Sequence, residues 1–234
     1  MKSDLPQSMF DAPVLDSGRP PQQVKDWLWV FPPNRDCRGG TAWWLDLEPE
    51  PLLIDCPPLT KATIDWLQKL AAGRGARILV TSREGHGRMR RLQEALGWPL
   101  LVQEQEAYLL PGLKDIAAFS EDFTTQAGVR LLWTPGPTPG SCVAYAPAPL
   151  NVMFCGRLLV PVAVNHLAAI RHRRTFHWLR QQRSLEKVRR WIPPEAMPLL
   201  ASGGGLGALR GGKLAPWDAW KPLPPGKDSA VDVY

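Results

Sequence analysis

The amino-acid sequence lacks the features that mark several functional classes. Its four cysteines, at positions 37, 56, 142 and 155, include no Cys-X-X-Cys pair, so neither a zinc knuckle nor a dithiol redox pair is indicated. No uninterrupted apolar run approaches the roughly 20 residues of a membrane span, and the N-terminal segment lacks the apolar core of a signal peptide. No repeat of solenoid length is visible. We therefore expect a cytoplasmic protein whose cysteines are reduced and mostly buried.

The composition is that of a folded domain with unusual amounts of two residues. The chain has 234 residues, of which 44% are apolar and 21% charged, and this size and balance fit one large domain. It contains 25 prolines, several in adjacent pairs, and 11 tryptophans. The net charge of +6 permits attraction to nucleic acid, anionic lipid or an acidic protein and does not choose among them.

Hydrophobic patterns predict strands that alternate with helices. In the first half, apolar runs predict strands at 27–31, 41–47, 51–57, 76–82 and 99–103. Between them, helical spacing behind a Thr60 cap predicts a helix that ends at Ala72, and a second helix is predicted at 87–97. In the second half we predict strands at 128–135, 141–147 and 151–156, then a long helix at 168–191. This order is typical of an α/β layered domain.

Five segments, read in chain order, resemble the sequential motifs of the metallo-β-lactamase superfamily. They are LLIDCP, ILVTSREGHG, LLWTPGPTPGSCVAY, VMFCGRLL and SLEKVRRWIPPEAMPLLASGGG. The resemblance implies an α/β fold, a four-layer αββα sandwich of two mixed β-sheets flanked by helices. With it we divide the chain into an N-terminal extension (1–26), a metallo-β-lactamase-like domain (27–212) and a C-terminal tail (213–234). In the tail, Trp217 and Trp220 are candidate anchors on the domain surface.

The same resemblance implies that the metal ligands of the superfamily are missing here. Members follow a strand that ends in Asp, here Asp55, with Thr-His-X-His-X-Asp-His, then with Thr-Pro-Gly-His-Thr-Pro-Gly-Ser, Gly-Asp and Gly-His-Gly. At the ligand positions this chain has Ser82, Glu84, Gly85, His86, Pro137, Arg157 and Gly204. Only His86 keeps an imidazole, whereas a catalytic zinc needs about three protein ligands. A guanidinium at Arg157 would also repel a dication.

We therefore predict a non-catalytic member, a pseudoenzyme that uses no metal or cofactor and that binds a protein or a small anionic ligand. Its binding region would be the vestigial cleft, formed by Asp55, Ser82, Glu84, His86, Pro137, Arg157 and Gly204. There Arg157 could hold an anion. The alternative is a hydrolase with a rebuilt or partial metal site that acts on a thioester, lactone or phosphoester. A serine or cysteine nucleophile at Ser82, Ser141 or Cys155 would need His86 as its base. The ligand, pathway and oligomeric state stay open.

A second alternative is an RNA or anionic-lipid binder that uses a basic helix at 170–191. Its basic surface would consist of Arg171, Arg173, Arg174, Arg180, Arg183, Lys187 and Arg190. Only Glu186 opposes these cations within the segment. No RNP, helix-turn-helix or zinc-finger signature accompanies the segment, so nucleic-acid binding is open but not favoured.

Overall fold

Residues 18–223, which the computed structural model describes, form two large β-sheets with helices on their outer faces. The first sheet contains β1 (Gln22–Lys25), β2 (Leu28–Val30), β3 (Trp43–Leu45), β4 (Leu52–Ile54), β5 (Arg77–Val80), β6 (Leu100–Gln103) and β7 (Ile116–Phe119). Its strands lie side by side in chain order. The strands from β1 to β4 pair antiparallel and those from β4 to β7 pair parallel, so the sheet is mixed.

The second sheet is also mixed. Its first four strands are β8 (Asp122–Thr124), β9 (Arg130–Trp133), β10 (Cys142–Ala146) and β11 (Val152–Gly156). A separate hairpin of β12 (Val160–Ala163) and β13 (His166–Ala168) comes next, and β14 (Leu199–Ser202) then returns to pair parallel with β11. The other pairs of this sheet are antiparallel, in the order β14-β11-β10-β9-β8.

Four α-helices lie among the described residues: α1 (Lys61–Ala71), α2 (Met89–Leu96), α3 (Glu104–Ala107) and α4 (Trp178–Trp191). Short 3₁₀ turns occur at Arg35–Cys37, Arg83–Gly85, Leu206–Leu209 and Trp217–Ala219. The Thr60 hydroxyl accepts from the Thr63 amide at the start of α1, which confirms the predicted cap. No helix within residues 18–223 has the length and apolar composition that crossing a bilayer requires.

Three apolar clusters fill the spaces between the two sheets and the helices on their outer faces. Because side chains alternate across a strand, Trp43 and Leu45 of β3 face the second sheet while Trp44 faces the helices. The central cluster joins the two sheets, and the second packs the outer face of the first sheet against α1 and α2. The third packs the outer face of the second sheet against α4, for example through Val188 and Ile192. The predicted αββα sandwich of two mixed sheets is confirmed.

The long helix predicted at 168–191 is wrong over its first half. Residues 166–168 form β13, and α4 begins only at Trp178, with His177 as its cap. The amides of Phe176 and His177 donate to the carbonyls of Pro137 and Gly136, so distant backbone takes the hydrogen bonds that a helix would need. Three of the cations assigned to a basic helix therefore precede it: Arg171, Arg173 and Arg174.

Both ends of the described chain are joined to the domain. Gln22–Lys25, which we assigned to the extension, are β1 and pair with β2 at the edge of the first sheet. In the tail, Ala215 exchanges backbone hydrogen bonds with Leu200, and the buried Trp220 packs edge-to-face on Trp217 at 5.1 Å. These contacts confirm both tryptophans as anchors; residues 1–17 and 224–234 lie outside the described range.

All four cysteines lie in the described part of the chain. Each is a free thiol, and each is buried, as predicted. They therefore serve as small apolar side chains of the core.

Gly136 controls how α4 docks on the loop of residues 134–141, which connects β9 and β10. A Cβ added at Gly136 would lie 2.6 Å from the Gln181 backbone nitrogen, and the φ of Gly136 is +150°. We expect Gly136→Ala to lower the free energy of unfolding in urea by at least about 3 kcal/mol, because α4 must move and the backbone is strained. Gly128→Ala is the matched control, since its φ is +79° but nothing lies within 4 Å of an added Cβ. Equal losses in the two variants would contradict the collision with α4.

Candidate functional site

The vestigial cleft forms where strand ends of the two sheets meet. Asp55 follows β4, Ser82 follows β5, Arg157 follows β11 and Gly204 follows β14. Backbone hydrogen bonds join these ends, since the Cys142 amide donates to the Thr81 carbonyl and the Thr41 amide to the Gly203 carbonyl. The structure thus brings these four predicted residues to strand ends that share one edge of the sandwich.

The Arg157 guanidinium reaches from the end of β11 to the turn at residues 34–40. Its Nη2 donates to the Cys37 carbonyl at 2.8 Å, and its Nε lies 3.9 Å from Glu84 Oε2. The side chain is only 10% exposed. Burial of a cation is costly unless its N–H groups are bonded, and the Cys37 carbonyl with the Glu84 carboxylate provides this compensation.

Two glycines make room for this guanidinium. A Cβ added at Gly40 would lie 2.7 Å from Arg157 Nη2, and one added at Gly204 would overlap Nη1 and Cζ. The resemblance places the last histidine ligand of the superfamily at Gly204. The guanidinium therefore occupies the space into which a side chain at position 204 would extend.

Asp55 is buried and bonded to one residue. Its Oδ1 accepts from the Thr81 amide at 2.8 Å and its Oδ2 from the Thr81 hydroxyl at 2.7 Å. Burial raises the pKa of this carboxyl from 3.8 to about 6, although the Thr81 bonds and the Arg157 charge favour the ionised form. A Cβ at Gly85 would overlap the Asp55 carboxylate, so Gly85 packs directly against it.

His86 is a neutral side chain at physiological pH. Burial, assisted by the Arg83 cation, lowers the pKa of its imidazole to about 4. Its Nε2 is buried and has no hydrogen-bond partner within residues 18–223. No serine or cysteine of that range is hydrogen-bonded to this nitrogen, so His86 is not positioned as the base of a nucleophile.

The candidate nucleophiles have other hydrogen-bond partners. Ser82 Oγ accepts from the Glu84 amide at 3.3 Å, and Ser141 Oγ accepts from the Thr138 amide at 2.9 Å. Burial raises the pKa of the Cys155 thiol far above its ordinary value, so the nucleophilic thiolate is disfavoured.

Glu84 and Pro137 of the vestigial cleft also have partners. Glu84 pairs with Arg38 at 3.0 Å in addition to its longer approach to Arg157. Pro137 has no side-chain donor, and its carbonyl accepts from the Phe176 amide at 3.2 Å. Both residues therefore act in packing and pairing.

Within residues 18–223 no group of three or more His, Cys, Asp or Glu side chains is arranged to hold a metal ion. The residues of the vestigial cleft do not fit the dication that the resemblance implies, because they include one imidazole and a guanidinium cation, and their two carboxylates are bonded to Thr81 and Arg38. We derive no metal-dependent step from this geometry.

Sequence reasoning missed Glu106, a buried carboxylate next to the 134–141 loop. Its Oε1 accepts from the Thr138 hydroxyl and from the Gly140 amide, the latter at 3.0 Å. Burial raises the pKa of this carboxyl, and the pKa of the Cys142 thiol is raised by burial and then by Asp55 and Glu106. The polar segment EQEA gives no apolar signal that would reveal a buried residue. The partners of Arg157 in the turn at 34–40 were missed because they lie about 120 residues earlier in the chain.

The predicted basic surface is divided between a loop and one side of α4. Arg171, Arg173 and Arg174 are exposed in the loop before the helix, and Arg190 is exposed near its end. Arg180, Arg183 and Lys187 share one stripe of α4, which faces Trp133 at the end of β9. Sequence reasoning did not include Trp133 in any site, because only the folded chain brings it to the helix.

The contact between Arg157 and Gly204 can be tested by a double-mutant cycle. We expect Gly204→Ala to lower the free energy of unfolding by about 1–2 kcal/mol, because the added Cβ displaces the guanidinium from the Cys37 carbonyl. In an Arg157→Ala background the three atoms nearest to the added Cβ are gone, and the same change should cost less than about 0.5 kcal/mol. Gly207→Ala, with nothing within 4 Å of its Cβ, controls for the loss of glycine itself. Additive effects at 157 and 204 would contradict this contact.

The pKa of Asp55 predicts a pH-dependent difference in stability. The folded-state pKa of about 6 lies above the ordinary value of 3.8, so the folded protein binds this proton more tightly than the unfolded chain does. The stability that this proton provides at acid pH is therefore lost as the pH rises from about 4 to 6. An asparagine side chain would reproduce the neutral acid and tolerates the positive φ of 62° at this position. We expect the free energy of unfolding of Asp55→Asn, measured in urea, to rise relative to that of wild type by about 2–3 kcal/mol as the pH increases from 4 to 7. The exposed Asp65→Asn should show no such trend, and parallel profiles for Asp55→Asn and wild type would refute the buried carboxyl.

Comparisons with known proteins bear on the fold. No protein-family model and no curated protein sequence matches the chain. The solved structure of the B3 metallo-β-lactamase BLEG-1 is 18% identical, with a TM-score of 0.62 over 82% of this chain and 95% of that one. A metallo-β-lactamase from Pontibacter korlensis is 15% identical, with a TM-score of 0.60 over 82% of this chain and 99% of that one. TTHA1623 in a di-iron-bound form is 20% identical, with a TM-score of 0.60 over 77% of this chain and 91% of that one. Together with the two mixed sheets and their outer helices, these likenesses show that the chain has the metallo-β-lactamase fold.

Proposed function

We propose that this chain is a non-catalytic protein of the metallo-β-lactamase fold that serves as a binding or interaction scaffold. The observation that carries the proposal is the position of the Arg157 guanidinium, which is 10% exposed and packed between Gly40 and Gly204. A cation held there by a backbone carbonyl is part of the packed structure. It takes the place of the ligands that a metal-dependent hydrolase needs.

The arrangement of the possible metal-ligating side chains supports the same proposal. Asp55 is bonded twice to Thr81, and Glu84 is paired with Arg38, so neither carboxylate is directed at a shared point with the imidazole. His86 alone provides an unbonded nitrogen within the described part of the cleft. A metal would have to break these pairs and move the Arg157 cation before it found three ligands.

The alternative hydrolase with a rebuilt metal site receives no support from a particular contact. A metal-free hydrolase would need a nucleophile, a base and a group that orients the base. Ser82 and Ser141 are bonded to backbone amides, and His86 is bonded to neither of them. We therefore favour a scaffold whose partner is a protein or a small anionic ligand. The predicted small anion beside Arg157 stays a prediction.

Elemental analysis of the full chain, purified without chelator, tests the proposal. We expect no stoichiometric Zn, Fe or Mn and no rise in Tm when these ions are added, because a ligand that binds only the folded state must stabilise it. We also expect no hydrolysis of thioester, lactone or phosphodiester substrates above the uncatalysed rate. One tightly bound equivalent of metal in the wild-type protein would overturn the proposal.

The matched variant is Arg157→Ala, which removes the guanidinium and leaves every other residue of the vestigial cleft in place. If ligands are missing, this variant also takes up no metal. If only the guanidinium blocks a competent set of ligands, the variant binds one equivalent and its Tm rises with Zn²⁺, a result that would contradict the donor count.

A further inference from the structure

A groove outside the vestigial cleft lies between the end of β9 and α4. It has a volume of about 320 Å³ and is lined by Trp133, Pro135, Arg180, Arg183, Ser184 and Lys187. We call it the α4 groove. It contains no residue of the vestigial cleft, so a ligand could bind there whether or not that cleft is catalytic.

The spacing of residues along α4 builds one wall of this groove. Positions 180, 183, 184 and 187 are three, four and seven residues apart and therefore share a face of the helix. The Ser184 hydroxyl donates to the Pro135 carbonyl at 2.7 Å, which holds this face against the 134–141 loop. The close approach of Gly136 to Gln181 sets the distance between loop and helix.

Trp133 supplies a fixed aromatic surface. Its Nε1 donates to the Pro139 carbonyl at 2.8 Å, so the polar edge of the indole is satisfied by the loop. The lining of the groove is thus aromatic and aliphatic at Trp133 and Pro135 and cationic along the helix. A ring held in place before binding loses little conformational entropy when a ligand packs against it.

The charge of the groove is unbalanced. Lys187 pairs with Glu121 at 2.9 Å and lies 5.8 Å from the centroid of the Trp133 ring. Arg180 and Arg183 are exposed, and neither forms an ion pair with an acidic side chain of the described range. Two guanidinium groups therefore stand beside an aromatic surface with no carboxylate from the described residues to balance them.

We propose that the α4 groove binds a nucleotide unit, with its base against Trp133 and its phosphate at Arg180 and Arg183. Guanidinium groups bind phosphate oxygens through paired N–H donors, and every base has a flat face that stacks on an aromatic side chain. The volume of the groove is at the lower end of the range for small-molecule sites, about 300–1,000 Å³. An acidic protein or an anionic lipid would satisfy the cations but would leave the aromatic surface without a specific partner.

The cations around the groove favour a single strand over a free nucleotide. Residues 171–190 contain eight Arg or Lys and one Glu. Arg173 and Arg174 are exposed just before α4, and Arg190 is exposed near its end. These side chains extend the positive surface beyond a site of one nucleotide, as a chain of phosphates requires.

The test is fluorescence anisotropy of the full chain with a labelled ten-residue oligoadenylate RNA at low salt. We expect Arg180→Gln with Arg183→Gln to weaken binding by at least about tenfold and to lower the salt slope by about 0.7–1.4, the effect of losing one or two phosphate contacts. The control is Arg91→Gln with Arg210→Gln, which changes the net charge equally at two exposed positions outside the groove. An equal loss in the control would show attraction by net charge alone and overturn the proposal.

Four further probes identify the chemistry that is recognised. An abasic ribose-phosphate oligomer of equal length should bind at least about tenfold more weakly than the oligoadenylate, because it has no ring to stack on Trp133. Equal binding of this oligomer, of polyglutamate or of phosphatidylglycerol vesicles would overturn the proposal. Adenosine monophosphate distinguishes the two sources of a nucleotide: weak binding supports a strand, and binding as tight as that of the oligomer, lost in the Arg180 and Arg183 variant, supports a free nucleotide.

Discussion

The edge where the two sheets meet depends on the Arg157 guanidinium, whose side chain is partly buried and only 10% exposed. Its Nη2 bonds to the Cys37 carbonyl, and its flat group fills the space above Gly40 and Gly204. A cation in this position lowers the stability of the fold by several kcal/mol unless its N–H groups have hydrogen-bond partners. The same cation repels a dication at this edge. One interaction therefore stabilises this edge and makes it unfavourable for a dication.

The carboxylates near this edge follow from that arrangement. In a metal site such groups would share their negative charge with the ion, whereas here Asp55 depends on Thr81 and on the Arg157 charge alone. The desolvation of the buried carboxylate outweighs its stabilisation by Thr81 and Arg157, and the pKa of Asp55 is therefore raised. Glu106 repeats the pattern with a threonine hydroxyl and a backbone amide. Both carboxyls thus serve as buried hydrogen-bond acceptors that fix loops, a structural use that needs no metal.

Local patterns predicted most of the strands, because alternation along β3 and the Thr60 cap depend on nearby residues, whereas the αββα layer order came from the resemblance. The helix expected at 168–177 was wrong, since the amides of Phe176 and His177 bond to a loop some 40 residues earlier in the chain. The missing ligands could be found from the order of the motifs. The direction of the Arg157 side chain could not, because its partner Cys37 is 120 residues away. No periodicity in the sequence records a contact of that kind.

The 134–141 loop is held in place by contacts with several other parts of the chain. Its Thr-Pro-Gly frame still has packing partners: Gly136 meets α4, Gly140 donates to Glu106, and the Pro139 carbonyl holds the Trp133 indole. At Pro137, where the resemblance implies a histidine ligand, the side chain has no donor, and the carbonyl accepts from the Phe176 amide. The same contacts hold an aromatic ring beside two cations in the α4 groove, and a site whose residues are already in position needs less ordering when a ligand binds.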